Sequence, residues 1–167
     1  MKIEKIFRGK QNWGIKMKEK RDVLNNLLVV LFNNVLTIEE RALKHGEFKI
    51  LTLSELHVIE AIGLEQPTHM TQIANRLGVT IGTLTIAINN LVNKGYVTRK
   101  RAENDRRVVN VALTELGHKA FRHHEAFHDE MISDITASLS DEESNILVNA
   151  LSKVTLYFED KYNASKE

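Results

Sequence analysis

The feature that most constrains this 167-residue sequence is a stretch whose small residues fit two helices crossing at a tight turn. Within residues 70–94 the key positions are Ala74, Gly78 and Leu84. Two short helices cross closely only where the contact residue is small, and the turn between them needs a residue that tolerates a positive φ angle. Thr80 follows the turn and can cap the second helix. The spacing therefore predicts a helix-turn-helix.

A β-hairpin is predicted directly after the second helix. Gly95 ends that helix, and residues 96–101 then alternate between polar and apolar positions as a strand does. Residues 102–105 turn the chain, and residues 107–113 return as a second strand. A hairpin in this place makes the motif a winged helix-turn-helix.

Long amphipathic patterns flank this motif on both sides. A single proline and eight glycines in the whole chain favour long helices with few loops. The apolar stripe on residues 18–45 is too wide for a surface helix of a small monomer, which predicts packing against a second copy. The predicted fold class is mainly α with a small β-wing. The predicted organisation is an N-terminal dimerisation helix and loop at 18–52, the winged helix-turn-helix DNA-binding domain at 53–113, C-terminal dimerisation helices at 114–162 and a tail at 163–167.

Residues 1–17 have two interpretations. Residues 1–16 carry five basic side chains, which fits a basic N-terminal arm. Alternatively, residues 13–16 must be encoded by a G-rich stretch just upstream of a Met codon, as a ribosome-binding site is, and translation then starts at Met17. The N-terminal mass of protein from the native host distinguishes the two.

Two absences narrow the chemistry of the chain. It contains no cysteine, which excludes disulfides, thiolate nucleophiles and Cys-ligated zinc. Its longest apolar run, residues 27–32, is too short to cross a membrane, and the first twenty residues lack a signal-peptide core. We therefore expect a cytoplasmic protein with no membrane partner.

The predicted hairpin carries a local positive charge, although the net charge of the chain is only +1. Between Lys94 and Arg107 there are six basic residues and two acidic ones. Lys and Arg gain affinity for duplex DNA through counterion release, and an arginine at a hairpin tip can enter the minor groove. Asp105 is expected to organise the hairpin through a salt bridge to Arg101 or Arg107. The alternative is a solvated turn with no binding role, but its position directly after a helix-turn-helix favours DNA.

The second helix of the motif is predicted to leave a polar face opposite its core residues. Hydroxyls near its start suit phosphates, whereas asparagine amides and apolar methyl groups suit base edges and thymine methyls. The alternative for these threonines and asparagines is an ordinary surface role. Together with the basic hairpin, the predicted DNA-binding residues are Thr80, Gly82, Thr83, Thr85, Ile86, Asn89, Asn90, Arg99, Arg101, Arg106 and Arg107.

The order of these elements, with DRRVVNVALTELG at residues 105–117, resembles the MarR family of dimeric transcriptional regulators over about residues 18–162. Within that family, five segments are similar to repressors of type II fatty-acid synthesis genes in Gram-positive bacteria. They are FNNVLTIEE (32–40), ELHVIEAIG (55–63), VTIGTLTIAINNLVNKGYV (79–97), ENDRRVV (103–109) and FHDEM (127–131). The resemblance implies a MarR-like homodimer whose first and last helices interlock, an AT-rich pseudo-palindromic duplex as DNA partner, and long-chain acyl-acyl carrier protein as corepressor. It implies no enzymatic activity and no cofactor.

An acyl effector would need a pocket the length of a fatty-acid chain. Apolar residues on three of the predicted helices are candidates for its lining, although such a stripe is more often plain core. The predicted pocket residues are Phe32, Val35, Leu36, Ile59, Ile62, Phe127 and Met131.

The segment HEAFH at residues 124–128 matches the zinc-protease signature H-E-x-x-H. Its helix resembles a dimerisation element without an open cleft, and nothing downstream supplies the third ligand of the extended motif, so we predict no protease. A zinc-responsive regulator stays open, because some MarR regulators take zinc ligands from their first, second and fifth helices. The comparable residues here are Glu39, His57, His124 and His128. The preferred prediction is that no metal binds and that these histidines pack or hydrogen-bond beside the acyl pocket.

Overall fold

The computed structural model describes residues 17–65, 67–101 and 109–163, and the chain divides into two compact units, residues 1–53 and 54–167. The first unit contains helix α1 (Met17–His45), which confirms the long helix predicted from the apolar stripe. The helix ends where the backbone N–H of Gly46 donates to the carbonyl of Leu43, 3.2 Å away. Large apolar side chains of α1 face solvent, among them Phe32 at 62% exposed.

The second unit is mostly helical with a small sheet, as predicted. Its elements are α2 (Leu53–Ile62), which begins at the unit boundary, β1 (Thr68–His69), α3 (Met70–Leu77), α4 (Ile81–Asn93), β2 (Val97–Arg101), β3 (Val109–Leu113), α5 (Glu115–Ala137) and α6 (Asp141–Asn163). Its largest fully buried side chains come from α2, α3, α4 and β3. They are Ile59, Ile62, Ile73, Leu84, Ile88, Leu91 and Val111.

The helix-turn-helix is formed by α3 and α4, and its turn has the predicted cause. Gly78 adopts a left-handed conformation with φ 66° and ψ 28°, which an L side chain rarely adopts. The N–H of Val79 donates to the carbonyl of Ala74 at 3.0 Å, and Ala74 is buried. Thr80 caps α4 by accepting a hydrogen bond from the N–H of Thr83 at 3.1 Å. The predicted roles of Ala74, Gly78 and Thr80 are confirmed.

The hairpin after α4 is present and belongs to a three-stranded antiparallel sheet in the order β1-β3-β2. Strands β2 and β3 pair from Val97 opposite Leu113 to Arg101 opposite Val109. The sequence did not indicate β1, because two residues after a proline are too few to show a strand periodicity. The turn predicted at residues 102–105 lies outside the described residues.

Two long helices complete the second unit, and both begin at residues whose side chains cap the helix. The hydroxyl of Thr114 accepts from the N–H of Gly117 at 3.1 Å. Ser140 and Glu143 form a capping box, in which the N–H of Ser140 donates to the Glu143 carboxylate at 2.9 Å. Among the described residues, no helix has the length and apolar character needed to cross a membrane.

Candidate nucleic-acid interface

The outward face of α4 presents the polar residues that the sequence predicted there. Leu84, Ile88 and Leu91 are buried on the opposite face. Ile86 is 66% exposed, so its apolar side chain is accessible to a partner such as a thymine methyl. Thr85 is half-buried, and its hydroxyl donates to the Ile81 carbonyl at 2.7 Å. The remaining predicted contact residues of this helix region are exposed: Thr80, Gly82, Thr83, Asn89 and Asn90.

The start of α4 gathers hydrogen-bonding groups suited to a phosphate. The hydroxyls of Thr80 and Thr83 lie 3.0 Å apart, and both residues are exposed. The free N–H groups and the positive dipole end of a helix attract anions, and threonine hydroxyls can donate to phosphate oxygens. This end of α4 can therefore hold the phosphate backbone while the rest of the exposed face meets the bases.

Strand β2 places a basic side chain beside the exposed face of α4. Arg99 is exposed, and its Nη1 donates to Oδ1 of Asn89 at 2.9 Å. Arg101 ends β2, and its side chain is not among those described. The other predicted residues of the hairpin, Asp105, Arg106 and Arg107, lie outside the described residues, so their roles stay predictions.

A part-buried ion pair lies at the C-terminal end of α4, and sequence reasoning missed it. The Lys94 ammonium donates to both carboxylate oxygens of Glu55, at 2.8 and 2.7 Å. Glu55 is only 5% exposed and lies in the first turn of α2. The available signal was the acidic Glu55 beside Leu56 in the segment LSELHVIEAI, which also contains Glu60. The pair connects α4, the candidate DNA-recognition helix, to α2.

A cluster of histidines joins α2 and α5 within the second unit. Nε2 of His124 and Nε2 of His128 lie 3.1 Å apart, and the ring centroids of His57 and His124 are separated by 5.7 Å. Nε2 of His124 lies 3.6 Å from a carboxylate oxygen of Glu60. These groups adjoin a cleft of about 230 Å³ lined by Glu60, Phe121, His124, Glu125, His128 and Asp129.

His124 is 4% exposed, and its environment disfavours the charged imidazolium. The pKa of His124 is lowered from 6.5 to about 4, mainly by burial and next by the neighbouring His128, whereas the Glu60 carboxylate opposes the shift. The ring is therefore neutral near pH 7, which is the form that binds a metal or accepts a hydrogen bond.

The stability of the metal-free protein should fall as the pH is lowered from 6.5 towards 4. The unfolded chain binds a proton at His124 in this range and the folded chain does not, so protonation favours unfolding. At 1.36 kcal/mol per unit of pKa difference, the loss reaches about 3 kcal/mol near pH 4. Urea denaturation at pH 7.5, 6 and 5 measures it. The variant His124→Gln should show a shallower pH dependence, and identical slopes for variant and wild type would contradict the assignment.

The predicted effector-pocket residues are divided between the two units. Phe32, Val35 and Leu36 lie on α1 in the first unit, as does the predicted zinc ligand Glu39. In the second unit Ile59 and Ile62 are buried in α2. Phe127 and Met131 are half-buried on α5. The pocket itself stays a prediction.

Comparison with known proteins gives consistent matches. A model of the MarR family matches residues 51–109. The HTH-type transcriptional regulator SarZ of Staphylococcus haemolyticus is 34% identical over 104 residues, covering 62% of this chain and 69% of that protein. The HTH-type transcriptional regulator YhjH of Bacillus subtilis is 28% identical over 87 residues, and this chain spans half of its length.

The similarity to solved structures extends over a larger part of the chain. The crystal structure of Streptococcus pneumoniae FabT in complex with DNA superimposes with a TM-score of 0.81 at 38% sequence identity. The match covers 84% of this chain and 98% of the FabT chain. The winged helix-turn-helix and the long helices around it are therefore shared with a DNA-bound regulator.

Proposed function

This chain belongs to the MarR family of transcriptional regulators, and from that premise we propose that it is a sequence-specific DNA-binding repressor of type II fatty-acid synthesis genes. Its proposed effector is long-chain acyl-acyl carrier protein, acting as corepressor. The observation that carries the DNA role is the match to 98% of a FabT chain bound to DNA. The fatty-acid role rests on the five segments that are similar to repressors of these genes.

The geometry of α4 and β2 supports DNA binding independently of the comparisons. An α-helix fits the major groove, and α4 exposes hydroxyl, amide and apolar groups that match phosphates, base edges and thymine methyls. Arg99 adds a positive charge beside this face. Such a surface can make sequence-independent contacts to phosphates and sequence-specific contacts to base edges.

The proposed functional unit is a homodimer. Helix α1 exposes Leu24, Phe32 and Leu36, and α6 exposes Ile146 and Phe158, all between 49% and 62%. Monomeric proteins rarely leave so many large apolar side chains in solvent, and a second copy that covers them would remove this cost. Two winged helix-turn-helix motifs related by a twofold axis suit a pseudo-palindromic site.

Selection of genomic fragments tests the proposed function directly. The purified full-length chain is incubated with sheared DNA of the native host at moderate salt, and retained fragments are sequenced. We expect promoters of fatty-acid synthesis genes that contain an AT-rich pseudo-palindrome. Long-chain acyl-acyl carrier protein should tighten the mobility shift, and EDTA should not change it. No preference for any fragment over random competitor, or a strictly monomeric chain, would refute the assignment.

Replacing Arg107 with alanine tests the predicted role of the wing. Loss of one phosphate or minor-groove contact should weaken operator binding and reduce the slope of log affinity against log salt by about 1. Mobility-shift titrations at several salt concentrations measure both quantities. Lys153→Ala on α6 is the matched control, because it removes a positive charge outside the motif and should leave the slope unchanged. If Arg107→Ala keeps the wild-type slope, the predicted contact between the wing and DNA is contradicted.

A zinc-responsive regulator is the second candidate, and one observation favours it. Ligand atoms of Glu60, His124 and His128 lie within 4.8 Å of one another. Two imidazoles and a carboxylate suit zinc, and the lowered pKa of His124 keeps its ring in the ligating form. This trio shares His124 and His128 with the set Glu39, His57, His124 and His128 that the family resemblance implies. If zinc is the effector, EDTA should abolish the DNA response and acyl-acyl carrier protein should not alter it. Loss of response to both would indicate another small-molecule ligand.

A further inference from the structure

Arg99 of β2, the wing strand, and Asn89 of α4, the candidate recognition helix, form a hydrogen bond at the surface proposed to contact DNA. Nη1 of Arg99 lies 2.9 Å from Oδ1 of Asn89, and both residues are exposed. The two residues belong to different elements, so the contact connects β2 to the exposed face of α4 that is proposed to contact bases.

The backbone on both sides of this contact is held firmly. Side chains alternate across a strand, so Arg99 lies on the same face as the buried Val97. It therefore lies at the boundary between the core and solvent. The partner of Arg99 in the sheet is Val111, which is fully buried. Asn89 directly follows Ile88, another fully buried residue. The backbone of neither residue can move far without disturbing the core.

The chemistry of the two side chains determines the orientation of the amide. A guanidinium has five N–H donors and no acceptor, so only the oxygen of an asparagine amide can face it. With Oδ1 directed at Arg99, the Nδ2 amino group points away from the guanidinium. An unconstrained asparagine can bind adenine through both amide atoms, accepting from N6 and donating to N7. An oriented amide presents mainly its donor, which suits purine N7, guanine O6 or thymine O4.

We propose that Arg99 is a positioning residue that fixes the Asn89 amide, so that Asn89 reads one base pair of each half-site as a hydrogen-bond donor. This inference rests on the proposed DNA-binding function. It assigns to Arg99 a role in sequence discrimination that differs from the uniform phosphate attraction expected of a basic wing residue.

The test compares base preferences. The probe is a genomic fragment recovered in the selection above, with each base pair of one half-site replaced in turn. Asn89→Ala identifies the base pair read by Asn89, because discrimination there, about tenfold in the wild type, is lost. Arg99→Met should reduce discrimination between base pairs at the same position, and should leave the affinity lost on base replacement at the other positions unchanged. In the double variant no further loss of discrimination at that position is expected.

Lys100→Met is the matched control. It removes the same charge one residue further along β2, on the opposite face of the strand, and should lower affinity for all fragments by one factor. Base preference is the ratio of two affinities measured with the same protein preparation. A reduced fraction of folded protein changes both affinities by the same factor and therefore cancels. If Arg99→Met lowers affinity uniformly, as Lys100→Met does, the positioning role is overturned while DNA binding stands. If the wild type retains no fragment, the proposed function itself fails and the inference falls with it.

Discussion

Replacing Gly117 with alanine should destabilise the protein by about 2 to 4 kcal/mol, a large fraction of the stability of a small domain. A Cβ atom at this position would lie 2.2 Å from the carbonyl oxygen of Tyr96 and 3.1 Å from Cβ of Leu113. That carbonyl cannot move aside easily, because it accepts a hydrogen bond from the N–H of Thr114 at 3.0 Å. Chemical denaturation monitored by circular dichroism measures the change.

Gly82→Ala is the control for the Gly117 variant, since both glycines lie in the first turns of helices. At Gly82 the nearest atom to an added Cβ is the Thr80 hydroxyl at 3.7 Å, an ordinary contact. Helix propensity alone then favours alanine, so Gly82→Ala should be neutral or stabilising by up to about 1 kcal/mol. Wild-type stability in Gly117→Ala would show that the start of α5 does not pack against the β2 region as described.

The helices and the hairpin could be predicted because their signals are local. Gly78 has a positive φ angle at the turn, and Thr80 and Thr114 carry the capping hydroxyls of α4 and α5. Each signal depends on residues within one or two turns of chain, which a single sequence displays. Burial of Leu84 and Ile88 followed from helical periodicity for the same reason.

Contacts between elements could not be predicted, since no periodicity encodes them. The pairing of Arg99 with Asn89 depends on how β2 leaves α4, and that of Lys94 with Glu55 depends on how α2 crosses the end of α4. Sequence reasoning placed Arg99 and Asn89 among the predicted DNA contacts without indicating that they touch. Residue type and spacing thus predicted the chemistry of the surface, and the tertiary fold determines the orientation of its side chains.

The largest effect of a charge substitution is expected at Lys94. Lys94→Met removes two charge-assisted hydrogen bonds from Glu55, whose side chain is 7% exposed, while keeping most of the apolar length of the lysine. Removing the cation from a largely buried ion pair costs about 3 kcal/mol, because the carboxylate then loses two charge-assisted hydrogen bonds in a poorly hydrated environment. Equilibrium unfolding in urea measures this loss. Lys44→Met is the matched control, since Lys44 pairs with Glu40 on the surface, where solvent screens the two charges, so its loss should be much smaller.

The double variant Glu55→Leu with Lys94→Met separates the cost of removing the cation beside Glu55 from the contribution of the pair itself. An apolar side chain at residue 55 needs no counter-charge, so the double variant should recover much of the stability that Lys94→Met loses. Because Lys94 is the C-cap of α4, the same pair also holds the end of the recognition helix against α2. The double variant should therefore regain stability while binding operator DNA more weakly than the wild type, since apolar packing does not fix the helix end as directionally as two hydrogen bonds. A double variant as unstable as the sum of both single changes would contradict this assignment.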